Sequence, residues 1–158
     1  MSTILYNSFL VLHIVGITVM AGTTFIDFLT FRAFSKTIRT DYLKSIVLEN
    51  SLYQLQRFMG IGMLLILISG IGMMVKLHEV WGVQLWFRVK MGVLLLIITN
   101  GLGLRRALGT SLRKTMASLS PGTVVQNLDS LFNKFMLVQL TQLILFTVIY
   151  VLSVFKFN

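Results

Sequence analysis

The sequence predicts an all-α, integral membrane four-helix bundle, and three observations carry that prediction. Hydrophobic residues fill 56% of the 158 positions and charged residues only 12%, whereas a soluble domain carries about 25% charged residues. Mean hydropathy is +0.85. Four stretches supply the roughly 20 mostly apolar residues that one bilayer crossing requires. Lys and Arg gather in two of the three segments between those stretches, as they do on the cytoplasmic side of membrane proteins.

The same arithmetic excludes other classes. The chain is too apolar for a disordered protein and too poor in Gly and Pro for a fibrous one. Its length allows one transmembrane domain over residues 1–158, with small loops and no separate soluble domain. The absence of Cys excludes a disulfide, an iron–sulfur cluster and a thiolate nucleophile. The net charge of +9 could point to nucleic acid in a soluble protein. Here it reads as a one-sided distribution of Lys and Arg, so the partner is the lipid bilayer and no nucleic acid is expected. No phosphate loop, nucleophile–base pair or paired carboxylates support soluble-type hydrolysis.

The first predicted span runs from about Ser8 to Phe31. The chain opens Met1-Ser2-Thr3, with no basic segment and no small-residue cleavage site, so this span reads as retained. The second covers about 58–75, the third about 83–104 and the fourth about 131–155. Arg32, Lys36, Arg39 and Lys44 follow span one; Arg105, Arg106, Arg113 and Lys114 follow span three. These two segments are expected in the cytoplasm, with both termini and the His78 turn outside. Ser120-Pro121-Gly122 marks a turn before span four, and Asn127 or Asp129 is a candidate cap for its helix.

An ionisable side chain in hydrocarbon costs about 2.5–3.5 kcal/mol on insertion scales, so it usually faces the bundle interior. In span one, His13, Gly16, Met20, Thr24 and Asp27 are spaced three, four, four and three apart. At helical periodicity they form one inward stripe. Gly16, one turn from His13, reads as room beside the imidazole. In span three, Trp86 and Lys90 stand at i, i+4. His13 and Lys90 are both placed roughly 8–10 Å below the outer surface and could meet one ligand. Snorkelling is the competing reading for Lys90. Span four presents Phe132, Phe135, Gln139, Gln142, Phe146 and Tyr150 on one face, with Tyr150 in the His13 layer and the glutamines as ligand contacts or interhelical polar bonds. Gln139, Gln142 and Tyr150 are the candidate partners for the second nitrogen of His13. Asp27 and Arg57 share a depth and read as a structural ion pair. His78 is either a solvated residue or a second axial ligand.

An inward imidazole in a four-helix membrane bundle suits haem, which takes an axial His with Met, Lys or a second His opposite. The lack of Cys and of an acidic cluster argues against zinc and di-iron sites. Copper has candidate thioethers in Met59 and Met63, or in Met73 and Met74. Span two carries Gly60, Gly62, Ser69, Gly70 and Gly72. Gly62, Ser69 and Gly72 lie near one face, which predicts a homodimer through close helix approach or, alternatively, packing within one chain.

Leu12-His13-Ile14 early in span one, Ala21-Gly22 two turns later, and Trp86-Phe87-Arg88-Val89-Lys90-Met91 opening span three resemble a superfamily of small bacterial membrane proteins. It includes the HemJ-type protoporphyrinogen oxidases and the CopD-type copper-resistance membrane domain. The resemblance covers spans one to three, and its motifs are short. It implies a bacterial inner-membrane location. It also implies haem b bound through His13 as the metal ligand, with Lys90 of the W-x-x-x-K pattern tied to activity. Two departures stand out. Met20 and Ala21 occupy the place of a Trp in span one, and Thr99 and Asn100 fill the region of a His late in span three.

The resulting expectation is a b-type haem-binding membrane protein with a redox role, either electron transfer or oxidation of a porphyrinogen-like molecule. Its site is His13, Gly16, Trp86, Lys90 and Tyr150, with His78 as the outer candidate and Lys90 as the catalytic one. The redox partner is not legible. The alternatives are a copper or small-molecule transport component without haem, and a structural or assembly subunit.

Overall fold

The computed structural model describes residues 3–82, 84–118 and 128–155, with the backbone alone described at 76–81. Five α-helices follow one another: α1 (Thr3–Thr37), α2 (Tyr42–Trp81), α3 (Leu85–Ile98), α4 (Arg105–Ser118) and α5 (Leu128–Val154). A π-helical stretch, Thr99–Leu104, joins α3 to α4. These three pieces form one continuous helix of 34 residues, Leu85–Ser118. The chain is thus a bundle of four helices, each long and apolar enough to cross a membrane, with no strand among the described residues.

The helices run well past the predicted spans at the basic end. With 40 residues, α2 is roughly 60 Å long, about twice the thickness of a hydrocarbon core. Most of the basic residues expected in loops are therefore helical: Arg32 and Lys36 close α1, Lys44 opens α2, and Arg105, Arg106, Arg113 and Lys114 belong to α4. Only residues 38–41 separate α1 from α2. There the Asp41 carboxylate accepts the Lys44 amide at 3.0 Å and caps α2. Asp129 lies inside the first turn of α5 rather than at its cap, and accepts a hydrogen bond from Arg39 across the turn. Ser120-Pro121-Gly122 and Asn127 fall outside the described residues.

Two apolar cores hold the bundle. One contains Met20, Met63, Ile66, Ile97 and Phe146. The other, at the basic end, gathers Phe31, Phe34, Leu52, Leu112, Phe132 and Phe135, with the rings of Phe31 and Phe135 stacked 4.2 Å apart. The outward Leu, Ile and Val side chains are exposed along all four long helices, as expected of a surface solvated by lipid tails.

The tightest seam joins α1 and α2, and small residues make it. A Cβ on Gly16 would meet Ile66 and Leu65 at 3.0 Å, and one on Gly62 would lie 2.9 Å from Met20. One on Gly72 would run into the Phe9 ring at 2.7 Å. The face of α2 that carries Gly62, Ser69 and Gly72 is therefore spent on α1 of the same chain, which removes it as the basis for a dimer contact.

Candidate functional site

The α1–α2 seam sets His13 against Ser69. His13 Nδ1 and Ser69 Oγ are 2.9 Å apart. The serine oxygen also reaches the carbonyls of Leu65 and Ile66 in its own helix, so its single proton is directed there. It then accepts from Nδ1–H, which leaves the Nε2 lone pair to coordinate a metal or accept a hydrogen bond. The imidazole partner is thus Ser69, not Gln139, Gln142 or Tyr150. The sequence shows Ser69 only as one small residue among glycines. A hydroxyl on a helix can turn back on its own carbonyls and still accept from a neighbour, and that dual use leaves no spacing pattern.

His13 lines a cavity of about 280 Å³ with walls from α1, α2, α3 and α5. Lys90 and Tyr150 line the same cavity, so three of the residues singled out by sequence share one space. Gly16 and Trp86 are not on its wall. Gly16 is consumed by the α1–α2 contact, and the glycine beside the imidazole is Gly70, where a Cβ would sit 3.6 Å from His13 Cε1. Trp86 is buried, donates its indole N–H to the Gln84 side chain and stands edge-on to Phe87. Phe87 takes the wall position instead. His78 is in the last turns of α2, and its side chain lies outside the described residues.

The cavity is apolar apart from His13, Lys90, Tyr150 and Ser153, and no carboxylate among the described residues lines it. A cationic ammonium in such a space favours an occupant bearing negative charge. Four thioethers, Met20, Met73, Met74 and Met91, also line it. Met59 and Met63 are buried away from it. Ile71 and Met91, on the wall, are 67% and 39% exposed. Since α2 and α3 make little direct contact, the mouth opens between them on the lipid-facing side.

A second buried polar group lies toward the basic end. Arg105 donates from Nε and Nη2 to the two oxygens of Asp27 at 2.9 and 2.7 Å. It also donates to the Leu52 carbonyl at 3.3 Å and to Gln56 at 3.4 Å. Gln139 donates to Asp27 at 2.6 Å. The partner expected for Asp27 was Arg57. Arg57 is instead exposed, because the continuous helix carries Arg105 to the depth of Asp27. Asn100, in the π-helical stretch, donates to Gln142 at 2.7 Å and to the Val138 carbonyl at 2.9 Å. The glutamines of α5 are therefore interhelical bonds in this chain and not cavity groups.

Among the described residues no group of three His, Asp or Glu side chains is arranged to hold a metal ion. A haem asks less of the protein, since the porphyrin supplies four nitrogens and the chain only axial ligands. His13, through Nε2, and Lys90, as a cation for a propionate, are the residues that would hold it. The volume of about 280 Å³ falls just below the roughly 300–1,000 Å³ of ligand sites, so a porphyrin would occupy the open mouth as well. Compared with family models, with curated proteins and with solved structures, the chain matches none.

Proposed function

We propose that this protein binds b-type haem in the membrane through His13 and serves a redox role. The observation that carries the reading is the Ser69-anchored imidazole of His13 in a cavity shared with Lys90. Haem would supply one-electron chemistry. The chain would supply the oriented imidazole, a cation for a propionate and a low-dielectric wall. In the enzymatic form of this reading, a porphyrinogen-like substrate would lose its electrons through haem to an acceptor outside the chain, with Lys90, beside the haem propionate, as the catalytic residue. The resemblance of the His13 and Trp86–Met91 segments supports a bacterial inner membrane as the location, and the eight Lys or Arg in the two basic segments support an orientation with both termini outside. A homodimer belongs to the proposal because a second copy over Ile71 and Met91 would close the mouth around a group larger than the cavity.

The test is an optical spectrum of wild type and His13→Ala, purified in parallel from haem-replete cells. Soret absorption in wild type and its loss in the variant support the reading, and equal absorption in both removes it. A second reading rests on the four methionines around His13. Thioethers with an imidazole suit Cu(I), and the chain would then handle copper without haem. Metal analysis of the same two preparations separates them: copper without a Soret band favours the second reading.

A further inference from the structure

A pocket of about 260 Å³ opens between α2 and α4 at the basic end, lined by Arg105, Arg106, Arg113 and Gln56 among others. Arg105 forms its inner wall. Four of its five N–H groups go to Asp27, Leu52 and Gln56, and the fifth, on Nη1, has no bond among the described residues. Its fit depends on Gly109, where a Cβ would lie 2.7 Å from Nη1. Arg106 and Arg113 stand at the rim, both exposed. Neither is in an ion pair among the described residues, and Arg113 lies over the Tyr53 ring at 4.7 Å. Asp27 offsets Arg105, and Glu49, also on the wall, offsets one rim arginine. A net positive charge remains.

The pocket lies where the membrane-embedded part of the bundle gives way to its basic extension. One helical turn toward the membrane, the face of α2 that carries Gln56 continues to Gly60. Gly60 looks onto open space, with nothing within 4 Å of a built Cβ. Further along that face stands Leu64, more than half exposed. The charged pocket thus borders an apolar, outward-facing strip of α2. That pairing fits a molecule with an anionic head and a hydrocarbon tail.

We propose that this pocket binds the phosphate of an anionic phospholipid from the leaflet at the basic end, with one acyl chain along Gly60 and Leu64. Guanidinium groups bind phosphate through charge-assisted, two-pronged hydrogen bonds, and basic pockets between membrane helices take lipid headgroups on the same principle. The site is separate from the His13 cavity and stands whether or not that cavity holds haem.

Native mass spectrometry of the full-length protein, titrated with phosphatidylglycerol and with phosphatidylcholine of the same chains, tests it. Phosphatidylglycerol should be retained at a concentration at least about tenfold lower. Arg106→Gln/Arg113→Gln should weaken its retention by roughly ten- to thirtyfold, and Lys36→Gln/Lys44→Gln, with the same charge removed elsewhere, should not. Gly60→Leu should weaken it with no change of charge. Equal weakening by the two charge variants, or no preference between the lipids, overturns the site. Displacement of the lipid by millimolar inorganic phosphate overturns the lipid as its source and leaves a site for a soluble anion.

Discussion

Arg105 grips Asp27 with two parallel hydrogen bonds across 78 residues of sequence, and both side chains are almost wholly buried. The guanidinium also lies over the Phe135 ring, 4.5 Å from its centroid. One contact therefore ties α1, α4 and α5 together at the level where the bilayer ends. Removing one partner leaves an uncompensated buried charge, which costs about 3–5 kcal/mol. Arg105→Met alone is expected to destabilise by that amount. Asp27→Leu/Arg105→Met should recover most of the loss. Unfolding by a denaturing detergent, followed by circular dichroism, measures both. A double variant no better than the worse single one would contradict the pairing.

Arg105→Lys gives a sharper version. An ammonium cannot make the parallel pair, the Leu52 bond and the Gln56 bond together. The substitution keeps the charge and should still lose roughly 1.5–3 kcal/mol, the worth of hydrogen bonds to charged groups. Stability equal to wild type would show that charge alone holds the site.

The α1–α2 seam predicts a contrast between two glycines of one helix. A Cβ on Gly62 would meet the Met20 backbone nitrogen at 3.0 Å, whereas one on Gly60 has open space. Backbone cannot move aside as a side-chain tip can, and overpacking of this kind costs about 1–3 kcal/mol. Gly62→Ala should therefore lower stability, and Gly60→Ala should be neutral or slightly stabilising. The loss at Gly62 should appear at every protein concentration, because the contact lies within one chain.

Much of this arrangement is legible in the sequence, and the rest fails for physical reasons. The inward stripe of α1 is readable because a His, a Gly and an Asp at helical spacing in hydrocarbon have one favourable direction. Gly16, Thr24 and Asp27 are indeed buried. The partner of Asp27 is not readable, because hydropathy ends span three near Leu104 although the helix does not stop there. Arg105 looks like a loop residue until the continuous helix places it. Gly70 is hidden in the same way: five small residues in α2 are alike in composition, and only the helix crossing decides which meets α1 and which meets the cavity.

Ser69 should matter through His13. Its hydroxyl fixes the imidazole, and loss of such a support typically lowers metal affinity or activity about 10–100-fold. Ser69→Ala is expected to fold, with a stability loss of about 1 kcal/mol, and to retain haem more weakly than wild type. Haem content per protein after a fixed wash reads this directly. Unchanged content would mean that the imidazole is oriented by something else.

Gly70 offers a way to separate ligand from fold. A Cβ there would make an ordinary contact, 3.6 Å from His13 Cε1, so Gly70→Ala should leave the bundle as stable as wild type. A larger side chain must project into the cavity that Gly70 lines, since α1 closes the other side. Gly70→Leu is therefore expected to remain helical and membrane-inserted while losing most bound haem, at least about tenfold by the scale of supporting-group losses at metal sites. Lys90→Met should act differently. It keeps the space and His13 but removes the cation, so retention should weaken, or the spectrum shift, without being abolished. His13→Ala should abolish retention outright. The order wild type, then Lys90→Met, then Gly70→Leu and His13→Ala, at constant helicity by circular dichroism, is what a ligand in this cavity requires. Full haem retention by Gly70→Leu would place the ligand elsewhere, because that side chain and a porphyrin on His13 cannot share about 280 Å³.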